Sequence, residues 1–160
     1  MQEEIVSKLR EIEQSECIRI IYAIESGSRA WGFESENSDY DVRFIYLRPY
    51  SSYLSIVQTK DTLEFPITNN LDMSGWDFKK TLQLLYKSNP SLFEWLNSPI
   101  TYIETSFVET LRNTSLSYFN RRSSMLHYIS MADNNYRLIQ KEQDNVTLKR
   151  YFYCIRPILC

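Results

Sequence analysis

The sequence predicts an α+β protein in which a small mixed sheet flanked by helices is followed by a mostly helical C-terminal lobe. Short runs rich in β-branched and aromatic residues occur before residue 75, and apolar residues at helical spacing dominate after it. Only 3 glycines and 5 prolines among 160 residues leave little room for long linkers. We therefore expect one domain over residues 1–104 and a helical lobe over residues 105–160.

Before residue 75 the pattern predicts short strands between helical segments. Residues 2–15 are predicted to be a helix because Ile5, Leu9 and Ile12 recur at helical spacing. Residues 28–33 are expected to form a short helix or turn, and a short helix is one option for residues 52–57. The predicted strands are short and rich in β-branched or aromatic residues: Ile18–Ile24, Asp39–Leu47, Thr62–Phe65 and Asn69–Met73.

After residue 74 the predicted elements are mainly helices. Ser74 and Asp77 have the spacing of a capping box, which predicts a helix from Ser74 to about residue 87. Asn89 followed by proline predicts the start of a helix that ends near residue 96. An extended piece is expected over residues 100–103, and the remaining predicted helices span 106–113, 115–132, 134–141 and 146–159.

Composition limits the classes of protein to consider. Apolar residues make up 43% of the chain, which is enough for a packed core, so disorder is not expected. No apolar run approaches 18 residues and no charged-then-apolar segment begins the chain, which argues against a membrane partner and a secretion signal. The cysteines are odd in number and lack metal-ligand spacing, which favours a reduced, cytoplasmic protein.

Charge is unevenly distributed along the chain, although the net charge is only −2. Residues 1–111 carry 17 acidic and 10 basic residues, whereas residues 112–160 carry 3 acidic and 8 basic residues. Lys149 and Arg156 lie seven residues apart and so share one face of the last predicted helix. Two interpretations remain open: a solvated cationic face, or a basic lobe that binds the phosphates of a nucleotide or nucleic acid.

The most informative motif combines a glycine-serine turn with a pair of aspartates. Gly27 and Ser28 follow the first predicted strand, where backbone N–H groups and a hydroxyl are available to phosphate oxygens. Ten residues later, Asp39 and Asp41 open the next strand on one face, roughly 6–7 Å apart. Two carboxylates so close repel each other unless a cation lies between them, which favours a magnesium site.

Two arginines near this motif have open roles. Arg29 could bind phosphates or support the local turn. Arg43 lies on the same predicted strand face as Asp41, where it could neutralise the aspartates when metal is absent or hold a phosphate. For Asp39, the alternative to metal binding is a hydrogen-bonding turn residue, but that alternative leaves Asp41 unexplained, because aspartate is disfavoured inside a strand.

Ten residues separate the Gly-Ser turn from the Asp-x-Asp pair. This arrangement resembles the motif of the DNA polymerase β-like nucleotidyltransferase superfamily. A closer likeness, to the RNA-ligase-associated bacterial nucleotidyltransferases, covers roughly residues 20–160. Its segments are Ala23–Phe33, Ser38–Arg43, Leu71–Asp77, Asn89–Leu96 and Leu148–Pro157. The resemblance implies a polymerase β-like palm sheet. It also implies that relatives continue beyond the last predicted helix, so that the present chain is either a shortened form or a short family member.

What the resemblance implies about activity is transfer of a nucleoside monophosphate from a nucleoside triphosphate to an acceptor hydroxyl. Two Mg²⁺ or Mn²⁺ ions would be held by Asp39, Asp41 and a third carboxylate on a neighbouring strand. Asp72 is the best candidate for this acid and Glu64 is its rival. The nucleotide would contact Gly27, Ser28, Arg29, Arg43, Lys149 and Arg156.

The acceptor, the preferred base and the oligomeric state stay open at this point. RNA is slightly preferred as acceptor over a small molecule or a protein, because of the basic lobe and the implied association with an RNA ligase system. The alternative function, from another class, is an antitoxin-like interaction module with little or no catalytic activity.

Overall fold

The computed structural model describes residues 1–35, 38–57, 59–142 and 146–159. In this part of the chain, five strands form one mixed sheet: β1 (Arg19–Ser26), β2 (Tyr40–Leu47), β3 (Thr62–Glu64), β4 (Leu71–Asp77) and β5 (Thr101–Glu104). The helices of the same part are α1 (Gln2–Ser15), α2 (Gly27–Ala30), α3 (Tyr50–Tyr53), α4 (Phe78–Tyr86), α5 (Pro90–Leu96), α6 (Phe107–Tyr118), α7 (Arg121–Glu142) and α8 (Leu148–Leu159). The predicted α+β class is confirmed.

The sheet has the strand order β3-β4-β2-β1-β5. Strands β2 and β4 are parallel, whereas the other neighbouring pairs are antiparallel. The parallel pair is adjacent in space although β3 lies between its members in sequence. As a result, the beginning of β2 and the beginning of β4 meet at the same end of the sheet.

Helix α1 covers one face of the sheet. Its stripe of Ile5, Leu9 and Ile12 is buried, as the helical spacing predicts. The sheet residues in this core are fully or almost fully buried, and those of β2 and β4 alternate along their strands: Ile20, Ala23, Val42, Phe44, Tyr46, Leu71 and Met73. This face therefore has a continuous apolar core.

Helices α4, α5 and α6 cover the other face. Their buried members, including Leu85, Leu92 and Leu111, pack on Ile24 and Ile45 of the sheet. A β-bulge in β1 between Ile20 and Tyr22 shifts the register, so that consecutive residues 21 and 22 both belong to this second core. Because helices cover both faces of the sheet, β1 reads as a continuous apolar run, and the bulge accounts only for the adjacent pair Ile21 and Tyr22.

Strand β4 is longer than the sequence predicts, and the expected capping box at Ser74 is wrong. Parallel pairing with β2 continues to Tyr46 opposite Asp77, so Ser74 remains inside the strand. Asp77 is instead the N-cap of α4, and its carboxylate accepts a hydrogen bond from the backbone N–H of Lys79 at 2.8 Å. Pairing with a neighbouring strand outweighs the local capping signal.

The helix boundaries predicted after residue 105 also need correction. Helix α6 continues to Tyr118, and α7 is one uninterrupted helix over the predicted gap at 133. Asn120 separates the two helices, because its side chain accepts a hydrogen bond from the N–H of Ser123 and its own N–H donates to Ser88. The predicted short helix at 52–57 lies earlier, at Tyr50–Tyr53.

Among the described residues, none of the helices is both long enough and apolar enough to cross a bilayer.

Substitution of Gly75 by alanine is predicted to destabilise the protein by about 3 kcal/mol, at the upper end of the usual cost of overpacking. A Cβ at this position would lie 2.2 Å from the ring of Phe44, which is fully buried. Urea unfolding followed by circular dichroism measures the change.

Gly32→Ala is the matched control, because a Cβ there has no neighbour within 4 Å in the described part of the chain, although φ is +76°. Only the backbone strain of a positive φ applies, about 1 kcal/mol. Equal losses for the two variants would contradict the packing shown for Gly75.

Candidate active site

A close contact between Gly27 and Asp41 forms the centre of the candidate site. Gly27 has φ +62°, a conformation that favours glycine, and it starts α2 directly after β1. A Cβ on Gly27 would lie only 2.0 Å from Oδ2 of Asp41. The glycine therefore serves two purposes: it allows the turn, and it leaves space for the aspartate carboxylate against the backbone.

The serine of the motif lies in the same tight turn. Ser28 is almost fully buried in α2, and its carbonyl accepts a hydrogen bond from the N–H of Phe33 at 3.1 Å. The Gly27 carbonyl accepts from the N–H of Trp31. The short helix or turn predicted over residues 28–33 is a helix over Gly27–Ala30, and it holds Gly27 and Ser28 beside the first residues of β2.

Asp41 and Asp72 are brought together by the parallel pairing of their strands. They are direct partners in the register of β2 and β4. The Nη2 of Arg43 donates to Asp41 at 3.0 Å and to Asp72 at 2.7 Å, so one nitrogen bridges both carboxylates. The Asp41 and Asp72 side chains are 26% and 31% exposed, which leaves the pair accessible from solvent.

Arg43 has further contacts that fix it between the aspartates. Its Nη1 donates to the backbone carbonyls of Asp72 at 2.9 Å and Val42 at 3.2 Å. In this structure Arg43 therefore neutralises the two carboxylates, which is one of the roles that the sequence left open for it.

Asp39 is not part of this bridged pair. It is exposed and precedes β2, which begins at Tyr40 rather than at Asp39. The backbone carbonyls of Ser38 and Asp39 accept hydrogen bonds from Arg29, at 2.7 and 3.3 Å, and the Arg29 guanidinium lies 3.9 Å from the centre of the Tyr40 ring. Arg29 thus supports the segment that leads into β2, which is one of its two predicted roles.

The rival acid, Glu64, lies farther from the centre. It is exposed in β3, opposite Ser74, and one strand beyond Asp72. Within the described ranges, no three acidic, histidine or cysteine side chains lie close enough together to hold a metal ion. The expected cluster of Asp39, Asp41 and Asp72 is therefore not assembled in this structure, in which Arg43 pairs with two of its members.

Glu25 is a site residue that the sequence reasoning missed. Its carboxyl is fully buried and accepts hydrogen bonds from the backbone N–H of Asp41 at 2.8 Å and from the hydroxyl of Tyr102 at 2.6 Å. Burial raises the pKa of Glu25, and these two hydrogen bonds partly offset the rise. A carboxylate directly after the apolar run of residues 20–24 was the signal available in the sequence.

The C-terminal helix packs against the loop that follows the glycine-serine turn. Phe152 of α8 stacks on Phe33, with ring centres 5.3 Å apart, and Tyr153 contacts the edges of Trp31 and Phe33. Burial raises the pKa of Tyr153, and the negative charge of Asp41 raises it further. Tyr153 therefore lies within electrostatic reach of Asp41, a proximity that sequence spacing could not indicate.

Arg156 is held by partners within the protein. Its guanidinium lies 3.5 Å from the centre of the Trp31 ring and forms an ion pair with Glu94 of α5 at 3.0 Å. Glu94 also accepts a hydrogen bond from the hydroxyl of Tyr128 on α7. The position is thus at the junction of α5, α7, α8 and the α2 loop. The side chain of Lys149, the other predicted phosphate ligand in this helix, lies outside the described part of the structure.

Comparison with known proteins identifies the family to which the chain belongs. The model of the RNA repair pathway DNA polymerase beta family matches residues 1–160. The uncharacterized protein YcgL of Bacillus subtilis (strain 168) is 49% identical over 160 residues, which are 99% of this chain and 61% of that relative. The chain thus spans less than two thirds of that relative's length.

A solved structure also matches the chain. It is the crystal structure of a nucleotidyltransferase-like protein from Exiguobacterium sibiricum 255-15, with 13% identity and a TM-score of 0.43 over 96% of this chain and 52% of that one. The family match itself covers the motifs and every element described above. The resemblance inferred from the motifs is confirmed, and this chain belongs to the RNA repair pathway DNA polymerase beta family.

Proposed function

We propose that this protein transfers a nucleoside monophosphate from a nucleoside triphosphate to an acceptor hydroxyl. The observation that carries the proposal is the pairing of Asp41 with Asp72 on neighbouring parallel strands, beside Gly27 and its turn. In this reaction the acceptor hydroxyl gives up its proton to solvent, and its oxygen forms a bond to the α-phosphorus. The bond from that phosphorus to the oxygen of the β-phosphate breaks, and pyrophosphate leaves with the electron pair.

The pair of Asp41 and Asp72 fits a divalent metal ion. A single cationic nitrogen already bridges the two carboxylates, so the pair has the geometry to share a cation, and carboxylate oxygens are the ligands that Mg²⁺ and Mn²⁺ prefer. When bound, the metal would lower the pKa of the acceptor hydroxyl and neutralise charge on the leaving pyrophosphate. Asp41 and Asp72 are the proposed ligands, with Arg43 as their partner when metal is absent. Asp39 is a proposed third ligand, and it would have to approach this pair from the segment before β2.

The other residues of the site would bind and orient the nucleotide. Gly27 and Ser28 would offer backbone N–H groups to the triphosphate. Arg29 would hold the segment before β2, and Arg43, once released from the aspartates, could bind a phosphate. Lys149 stays a proposed phosphate ligand. For Arg156 to be one, a phosphate has to compete with the Glu94 carboxylate.

We propose an RNA end as acceptor, ahead of a small molecule or a protein. Two observations support RNA: the family is described as part of an RNA repair pathway, and residues 112–160 carry 8 basic against 3 acidic residues. We also propose that the protein acts with an RNA ligase system and that it is cytoplasmic. The division into a domain over residues 1–104 and a helical lobe over residues 105–160 likewise remains a proposal.

The direct test is incubation with each α-labelled nucleoside triphosphate, Mg²⁺ and either total RNA or cell lysate. We expect label to appear in RNA and to be lost in Asp41→Ala, because this variant removes one of the proposed metal ligands. Asp133→Ala is the control, since Asp133 is exposed on α7 and pairs only at the surface with Arg137.

If no macromolecule acquires label, and calorimetry detects no Mg²⁺-dependent binding of nucleotide, the catalytic proposal fails in favour of an interaction module. Label in protein or in a small molecule would refute only the RNA acceptor.

Asp72 is predicted to support chemistry more than nucleotide binding. Asp72→Asn should keep nucleotide affinity within a few-fold while turnover falls by roughly 10²-fold or more, as when an electrostatic contact to the transition state is removed. Glu64→Gln is the matched carboxylate-to-amide control and should retain turnover. An active Asp72→Asn with an inactive Glu64→Gln would identify Glu64 as the third acid.

Arg43→Met is predicted to make the metal-free protein less stable by about 1–2 kcal/mol, because Asp41 and Asp72 lose the charge between them. Millimolar Mg²⁺ should restore much of this loss, and its stabilising effect should exceed that on the wild type. Thermal melting in EDTA and in Mg²⁺ measures both effects.

Arg137→Met controls for loss of an arginine from an exposed pair, for which a small change independent of Mg²⁺ is expected. Identical responses of Arg43→Met and wild type to Mg²⁺ would refute the shared cation site.

A further inference from the structure

We propose that Glu25 is a positioning residue that fixes Asp41 by accepting the hydrogen bond of its backbone N–H. The inference rests on the proposed function in so far as Asp41 is a metal ligand. Glu25 touches no reacting group itself. Its effect on the reaction would pass entirely through the place and orientation of Asp41.

The burial of Glu25 demands a specific reason. A carboxyl removed from water is unfavourable unless hydrogen bonds replace those of the solvent. Glu25 is 0% exposed and directly follows the apolar run of residues 20–24 in β1. Its two oxygens are both used, one by the backbone N–H of Asp41 and the other by the hydroxyl of Tyr102.

The direction of the Asp41 N–H explains what this bond does. In a strand, successive N–H groups point to opposite neighbours. The N–H of Tyr40 bonds to Asn70 on the β4 side, so that of Asp41 points toward β1. There, the Oε1 of Glu25 accepts it, at 2.8 Å. The Glu25 side chain thus takes the place of a backbone carbonyl as the acceptor for the N–H of Asp41.

Glu25 is itself fixed from several sides. Its N–H donates to the carbonyl of Ile100 at 3.0 Å, and its carbonyl accepts from the hydroxyl of Ser98 at 2.6 Å. Tyr102 in β5 binds the second carboxyl oxygen. The side chain therefore ties the end of β1 and the edge strand β5 to the beginning of β2.

The consequence reaches both parts of the motif. Two residues after Glu25 comes Gly27, whose backbone has the Asp41 carboxylate packed against it. Fixing the Asp41 backbone against β1 therefore sets the distance from its carboxylate to the turn and to Asp72 in the next strand. A small displacement of a reacting geometry can lower a rate by about 10²-fold.

The test combines a structural readout with kinetics. In ¹⁵N-labelled protein, Glu25→Ala should speed hydrogen exchange of the Asp41 amide about tenfold beyond any change in global stability, as expected for loss of one hydrogen bond. In the labelling assay, kcat should fall by about 10–100-fold while KM for the triphosphate stays within a few-fold. Glu25→Gln should restore both readouts largely, because an amide oxygen can accept the same N–H.

Two further variants separate positioning from stability. Tyr102→Phe removes the other partner of Glu25 but leaves the Asp41 bond, so both readouts should change little. Leu9→Ala opens a cavity in the core on one face of the sheet but removes no hydrogen bond of Glu25 or Asp41, so it should change Asp41 exchange only as much as global stability requires.

Each outcome decides between the two proposals. If Glu25→Ala retains Asp41 protection, or retains kcat in an active enzyme, the positioning role is overturned while the proposed function stands. If Glu25→Ala merely follows the stability effect of Leu9→Ala, the positioning role is overturned as well. If the wild type transfers no nucleotide but Asp41 protection depends on Glu25, the positioning of Asp41 is supported and the proposed function fails.

Discussion

The parallel pairing of β2 with β4 is the constraint on which the rest of the site depends. These strands lie next to each other although β3 separates them in sequence, and their register sets Asp41 directly beside Asp72. Antiparallel pairing of β1 with β2 then brings Ser26 opposite Asp41, so that Gly27 turns away where the carboxylate needs room. Backbone pairing of the strands therefore brings three separate segments together at one end of the sheet.

Placing two carboxylates side by side creates a repulsion that the protein has to offset. Arg43 does so from the same strand as Asp41, through one nitrogen shared between both acids. A cation between the acids would carry out the same electrostatic task, which makes arginine and metal alternatives for one position. The partial exposure of both carboxylates is consistent with such an exchange, because solvent and ions can reach them.

The C-terminal helix is connected to this end of the sheet by aromatic and charged contacts. Arg156 lies on Trp31 and pairs with Glu94, while Phe152 and Tyr153 pack around Phe33. Trp31 and Phe33 follow directly after the glycine-serine turn. The packing thus links the helical part of the chain to the loop next to Asp41, a link visible also in the effect of Asp41 on the pKa of Tyr153.

The sequence by itself determined the α+β class, the helix at residues 2–15, the strands and the pair of motifs, because periodicity and local residue chemistry are short-range properties. It also singled out Asp41, Asp72 and Arg43. Tertiary structure decided the rest: Ser74 stays in β4 because pairing with β2 outweighs its capping signal, and Asp39 remains outside the bridged pair. Tyr102 lies 77 residues from Glu25 along the chain, and Trp31 lies 125 residues from Arg156. Such contacts depend on how the elements pack, and no local pattern encodes that packing.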